Sequence, residues 1–215
     1  MGDMLSRRTF LKTATAVPLV GSLGCVFSRG RGLLCDVDFF QTGFEGFAAA
    51  LASARCRVGE GCRVTLNVRE DRLLASWGDD DHFQIVGTGG VEEGKWHLKT
   101  RGICMEFMLR MEVMGPIAST PHPRPGQAWE PTLRAGDARR LMLRMLAESG
   151  VQIAYGCDHV RDFPTERLVE GEVFVQGQLM GTAAALAYHE GTKVEAIWES
   201  ELLRARLARD FSLPG

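Results

Sequence analysis

The chain has 215 residues, a formal net charge of −2 at pH 7, 45% hydrophobic and 24% charged residues, and 25 glycines. That length and balance describe one globular domain able to bury a real core, and they exclude an intrinsically disordered chain. Near-neutral charge gives no long-range pull toward nucleic acid or an anionic membrane, and no run of about eighteen apolar residues predicts a spanning helix.

The chain opens with Ser6-Arg7-Arg8-Thr9-Phe10-Leu11-Lys12 and a short, mildly apolar stretch over 13–27. This pattern resembles a twin-arginine export signal, so residues 1–30 are read as an address and set aside from fold reasoning. The resemblance implies passage through the twin-arginine translocation machinery, already folded and often with a cofactor in place, to the periplasm or the exterior. The other reading is a basic amphipathic start to a cytosolic protein. Outside the cytoplasm disulfides are permitted. The six cysteines, at 25, 35, 56, 62, 104 and 157, form neither C-x-x-C nor a zinc-type spacing, although Cys56 and Cys62 could close a small loop. No metal site is expected.

A short apolar-biased run over 35–40 predicts a strand. It leads into Gln41-Thr42-Gly43-Phe44-Glu45-Gly46, then an Ala-rich helix to Arg55, a second strand over 63–68, and the acids Glu70 and Asp71. Strand, glycine turn, small-residue helix, strand and acid form the order of a dinucleotide-binding βαβ unit. In such a unit a pyrophosphate rests on the amides at the helix start, where the dipole favours negative charge. Gly43 would let the backbone approach the phosphates, Gly46 would let the helix pack close to the strand, and Glu70 or Asp71 would accept the ribose hydroxyls. Gln41 stands where the first glycine of G-x-G-x-x-G belongs. A glycine-rich turn with no ligand is the competing reading of this segment.

Residues 78–132 are read as a small mixed cap or linker. They carry Asp79-Asp80-Asp81, which could bind a cation or form a hydrated turn, and a proline-rich loop with Pro116, Pro121, Pro123, Pro125 and Pro131. Residues 133–155 predict a helix with apolar Leu141, Leu143, Met145 and Leu146, followed by a strand through Val151, Gln152, Ile153 and Ala154. Gly177-Gln178-Leu179-Met180-Gly181-Thr182 is again a glycine turn before a small-residue helix, stopped by Gly191. A final helix is predicted over 198–209, with Leu202, Leu203 and Leu207 as its apolar stripe and Arg204, Arg206 and Arg209 outside.

Three of these stretches together resemble a family of FAD-dependent oxidoreductases. Its members open with Asp-Val, an apolar step and Gly-x-Gly-x-x-Gly-x-Ala-Ala-Ala, matched here over 36–55. They close with Gly-Gln-x-x-Gly-Thr-Ala-Ala-Ala-Leu-Ala, matched at 177–187, and the helix and strand over 133–155 are similar to a middle segment of the family. The resemblance implies an α/β fold: an incomplete Rossmann-like FAD-binding sheet with helices (35–77 and 133–215) plus the small mixed cap. It implies FAD as cofactor, a small-molecule substrate, and Gly177, Gln178, Gly181 and Thr182 as contacts at a closing helix start that faces the flavin and pyrophosphate. The family's strand before that segment has no counterpart after Cys157, so a partner subunit could supply it. Two other readings stay open: a non-catalytic exported remnant of a flavin fold acting as a binding or accessory protein, and an NAD(P)-linked reductase resting on the first turn alone.

No catalytic acid or base is assigned. His159 could donate a proton near a flavin or be a solvated loop residue. There is no G-x-S-x-G elbow or phosphate-binding G-x-x-x-x-G-K-[ST] loop, and the tryptophans are not interleaved with a basic stripe. The flavin reading makes one geometric demand. Two distant helix starts must converge with room between them for a diphosphate.

Overall fold

The computed structural model describes residues 25–29, 35–40, 43–56, 62–92, 95–98, 101–114, 130–158 and 167–212. Most of the export-type segment, Gln41, Thr42, His122, His159 and the prolines at 116, 121, 123 and 125 lie outside the described residues. The fold is α/β. Strand β2 (Cys35–Phe40), helix α1 (Gly43–Cys56) and strand β3 (Cys62–Asn67) form the predicted βαβ unit, with β2 and β3 parallel. Alternation sets the buried face: Val37 and Phe39 on β2, and Val64 and Leu66 on β3, are buried register partners. A third parallel strand, β8 (Gln152–Ala154), joins β3.

Strand β1 (Cys25–Arg29) completes the sheet order β1-β2-β3-β8 by pairing antiparallel with β2. The stretch read as the end of the export signal is therefore a strand. Within the middle of the chain, β4 (His82–Val86) lies between antiparallel β7 (Thr132–Arg134) and parallel β9 (Leu168–Glu170) in a second sheet. Strands β5 (Gly89–Glu92) and β6 (Lys95–Leu98) pair antiparallel beside it in sequence.

Among the described residues, four more helices of three turns or longer cover the core. Helix α2 (Ile103–Met114) falls where no element was expected, although its buried Cys104, Phe107, Met108 and Met111 carry helical spacing. Helix α3 (Ala135–Glu148) is as predicted, except that Met142 rather than Leu143 is fully buried with Leu141, Met145 and Leu146. Helix α4 (Glu172–His189) begins well before the glycines, and Gly191 with φ of 62° ends it, its amide donating to Tyr188 O at 3.1 Å. The predicted last helix is split. A single turn, α5 (Val194–Ile197), precedes α6 (Glu201–Ser212), because the Ser200 hydroxyl accepts from the Leu203 amide at 3.2 Å and caps the new start. On α6, Leu203 and Leu207 are buried and Leu202 is exposed.

One cluster of buried side chains runs from Val37 on β2 to Ala184 on α4 and takes in Trp77, Phe83, Ile85 and Phe107. The middle segment thus shares the core of the βαβ unit. A satellite cluster holds Cys56, Leu179, Ala183, Leu186, Ile197, Leu203 and Leu207 where α4 meets α5 and α6. Among the described residues no helix is long and apolar enough to cross a membrane.

Candidate functional site

In open α/β sheets, ligands sit at the carboxyl ends of the parallel strands. Here that edge is formed by Phe40, Asn67 and Ala154, with Gly43 opening α1 beside it. Gly43 has φ of 86°, in the left-handed region that only glycine enters without cost, and it is buried. Gly46 is buried one turn further on. Glu45 brings a carboxylate into the first turn. There it favours the helix dipole, and for the same reason opposes a second anion at that start. Asn67, the last residue of β3, donates through Nδ2 to Phe39 O at 3.3 Å, and the Cys157 Sγ lies 3.5 Å from its Oδ1. Glu70 is exposed in the bend that follows the strand, and Asp71 is exposed beside it.

The closing segment is placed differently from its reading in the sequence. Gly177, Gln178, Gly181 and Thr182 lie in the interior of α4, not at its start, which is Glu172 after Gly171. Their surroundings are protein. A Cβ on Gly177 would overlap the Glu45 carbonyl and come within 2.9 Å of the Ala48 Cβ. One on Gly181 would overlap the Ala49 carbonyl oxygen and lie 2.7 Å from its carbon. The register of these approaches, 177 against 45–48 and 181 against 49, runs α1 and α4 side by side in the same direction. Small residues on both helices let the backbones nearly touch. Gln178 is buried, and its Oε1 accepts the Ile103 amide at 3.0 Å, capping α2. Thr182 Oγ1 donates to Gln178 O at 2.8 Å within its own helix.

The two helix starts do converge, but on aromatic rings. Phe44, second in α1, and Phe174, third in α4, have ring centroids 5.0 Å apart, and both are fully buried. Phe83 lies 5.2 Å and Phe107 5.7 Å from Phe44, while Trp77 stacks on Phe83 at 4.8 Å. Phe47 closes the group at 5.9 Å from Phe107. The space between the starts is therefore a packed hydrophobic hub. The residues of the closing helix do not fit a bound flavin, since each already has an interior partner.

The acidic triplet is also committed to structure. Asp79 pairs with Arg139, Asp80 with Arg134 at 3.2 Å, and Asp81 with Arg167 at 3.6 Å. The Arg139 guanidinium, one-tenth exposed, further donates to the carbonyls of Leu73 at 2.6 Å, Leu74 at 3.1 Å and Trp77 at 3.0 Å. The start of α3 is capped from the same loop: Ala135 N donates to Asp81 O at 2.8 Å, and Gly136 N to Asp79 O at 3.0 Å. Sequence reasoning missed Arg139 because nothing local distinguishes it from Arg140, which is exposed. No cluster of His, Cys, Asp and Glu among the described residues is arranged to hold a metal. Burial pushes the Cys56 thiol above its ordinary pKa of 9.0, an effect that Arg206 partly offsets.

Comparison with protein-family models, with curated proteins and with solved structures finds no match for this chain.

Proposed function

We propose that this chain is an exported, non-catalytic binding or accessory protein built on a flavin-type nucleotide frame that no longer holds its cofactor. The observation that carries this reading is the contact of Phe44 with Phe174, at 5.0 Å, where the two helix starts meet. A diphosphate held by both starts needs that volume and needs amides facing it. The rings fill the volume, and α4 presents its glycines to the backbone of α1 instead. A negative side chain, Glu45, sits in the first turn of α1. Retention of the frame is supported by the assembly of all three resembling stretches into one body, with β2, β3 and β8 parallel and α4 against α1.

A second reading, an FAD-dependent oxidoreductase, is favoured by one feature: Gly43, with φ of 86°, opening a helix directly after a parallel strand. Under it FAD would supply hydride or electron chemistry for a small molecule. Gly43 and Gly46 would serve the phosphate side and Glu70 the ribose, with no role left for the α4 residues. A spectrum separates the two. The folded protein, incubated with FAD and passed through a desalting column, is expected to emerge without visible flavin absorbance. A yellow protein fraction whose colour is lost in a Gly43→Val variant would overturn the first reading in favour of the second. Localisation is tested separately: replacing Arg7 and Arg8 with lysine should block export in a host with the twin-arginine route.

A further inference from the structure

An export signal that is removed needs a cut, and the peptidase that makes it reads a small residue, any residue and a second small residue just before the bond. Between Val17 and Leu34 three triplets have that form: Ser22-Leu23-Gly24, Ser28-Arg29-Gly30 and Gly30-Arg31-Gly32. They place the cut before Cys25, Arg31 or Leu33, and nothing local in the sequence chooses among them. Ala14-Thr15-Ala16 has the form too, but it precedes most of the apolar stretch that must stand ahead of a cut.

The first sheet chooses. Strand β1 pairs antiparallel with β2 along its whole length, from Cys25 opposite Phe39 to Arg29 opposite Cys35. In the order β1-β2-β3-β8 it covers the outer side of β2. A cut before Arg31 or Leu33 would carry β1 away with the signal. Strand β2, whose Val37 and Phe39 are buried in the core, would then become an edge with a row of unpaired amides and carbonyls. A cut before Cys25 leaves every rung in place.

Timing adds a second constraint. The twin-arginine route carries chains already folded, so β1 is in its ladder when the peptidase meets it. Proteolysis needs backbone that is free of such pairing. Ser28 and Arg29, which belong to the second triplet, are held opposite Asp36 and Cys35. Residues 22 and 24, read at the first triplet, precede the first rung.

We propose that the export signal ends at Gly24, and that hydrolysis of the Gly24–Cys25 peptide bond leaves a mature chain that starts with β1. Water is the co-reactant. Its hydroxyl goes to the Gly24 carbonyl carbon and its remaining hydrogen to the Cys25 nitrogen, and nothing is oxidised or reduced. The cut presupposes the export proposed above and shortens the address from residues 1–30 to 1–24.

The test expresses the full chain in a host with the twin-arginine route and sequences the protein found outside the cytoplasm from its amino end. The expected first residue is Cys25. An exported chain that starts at Arg31, at Leu33 or anywhere else, or that keeps residues 1–24, overturns the proposal and leaves the export reading standing. A chain confined to the cytoplasm overturns the export reading, and the cut with it. A Gly24→Leu variant sets a large side chain at the bond and leaves β1 unchanged. It should reach the far side of the membrane with residues 1–24 still attached, read as a higher intact mass. Processing of that variant to the same product as the parent overturns the proposal as well.

Discussion

Gly181 is the position where one added carbon separates two opposed effects. Alanine is the better helix former by about 1 kcal/mol, so propensity alone favours Gly181→Ala in the interior of α4. Packing opposes it, because the new Cβ would occupy the place of the Ala49 carbonyl oxygen, and a backbone atom cannot swing aside as a side chain does. Forcing the helices apart should cost about 2–3 kcal/mol net, read as a lower urea midpoint. A variant as stable as the parent would mean that α1 and α4 are not in backbone contact. Arg139 poses the converse problem of removal. Three carbonyls and Asp79 share its guanidinium, so Arg139→Met leaves several acceptors without a donor. Asp79 is largely exposed and can return to water, which leaves the buried carbonyls as the main cost, about 2–4 kcal/mol. Urea unfolding of this variant checks that figure, and a loss below roughly 1 kcal/mol would show that water replaces the clamp.

At the scale of elements, long-range polar contacts tie α2 to α4, α1 and α3. Gln178 on α4 caps α2, and Gly102 before it has φ of 65° and no room for a Cβ beside the Gln178 amide. Gln178→Leu removes the acceptor and should cost about 1–2 kcal/mol, whereas Gln178→Glu keeps an acceptor for the Ile103 amide and should cost less. The reverse order in thermal melts would dismiss the cap. In the first turn of the same α2, Glu106 pairs with Arg55 of α1, and Arg110 joins Glu106 at 2.8 Å to Glu148 of α3 at 2.6 Å. The hydrogen bond from Arg110, then that from Arg144, holds the Glu148 carboxyl below its ordinary pKa of 4.5. A lowered folded-state pKa gives stability that is complete above the unfolded value and is lost as pH falls through the folded one. Glu148→Gln should therefore lose less Tm than the parent between about pH 5 and pH 3, and added salt should shrink the difference. Identical acid profiles would sever the link to Glu148.

Those joints also explain what the sequence could and could not disclose. The β2-α1-β3 unit and α3 were legible because the apolar runs over 35–40 and 63–68, the Ala-rich stretch between them and the apolar spacing in 141–146 are local signals. The start of α4 was misplaced because glycines at 177 and 181 look like a turn when the helix they press against is unseen. Helix α2 carries its local signal at Cys104, Phe107, Met108 and Met111, whose spacing of three and four is helical. At the candidate site the pattern pointed to a glycine opening α1, and Gly43 stands there with φ of 86°. The partner of Gln178 lies 75 residues away, and no periodicity reports a contact of that kind.

At the scale of the whole molecule, the aromatic hub decides whether the two larger sheets unfold together. Phe44 belongs to the βαβ unit, Phe83 to the second sheet, Phe107 to α2 and Phe174 to α4, so four segments far apart in sequence meet in one set of ring contacts. A domain of this size is stable by about 5–15 kcal/mol, and truncating a fully buried phenylalanine costs about 3–5 kcal/mol. Phe174→Ala should thus remove a large share of the total while leaving unfolding a single step. Two probes test this: far-UV circular dichroism for the helices, and near-UV circular dichroism for the packed rings, including the Trp77–Phe83 stack. Their urea transitions should coincide in the parent and move together in the variant, since losing the hub weakens both sheets at once. If the near-UV signal of Phe174→Ala melts first while the helices persist, the second sheet, which carries Phe83, unfolds separately from the βαβ unit. The hub would then be a filler between two independent units, not the joint that makes them one.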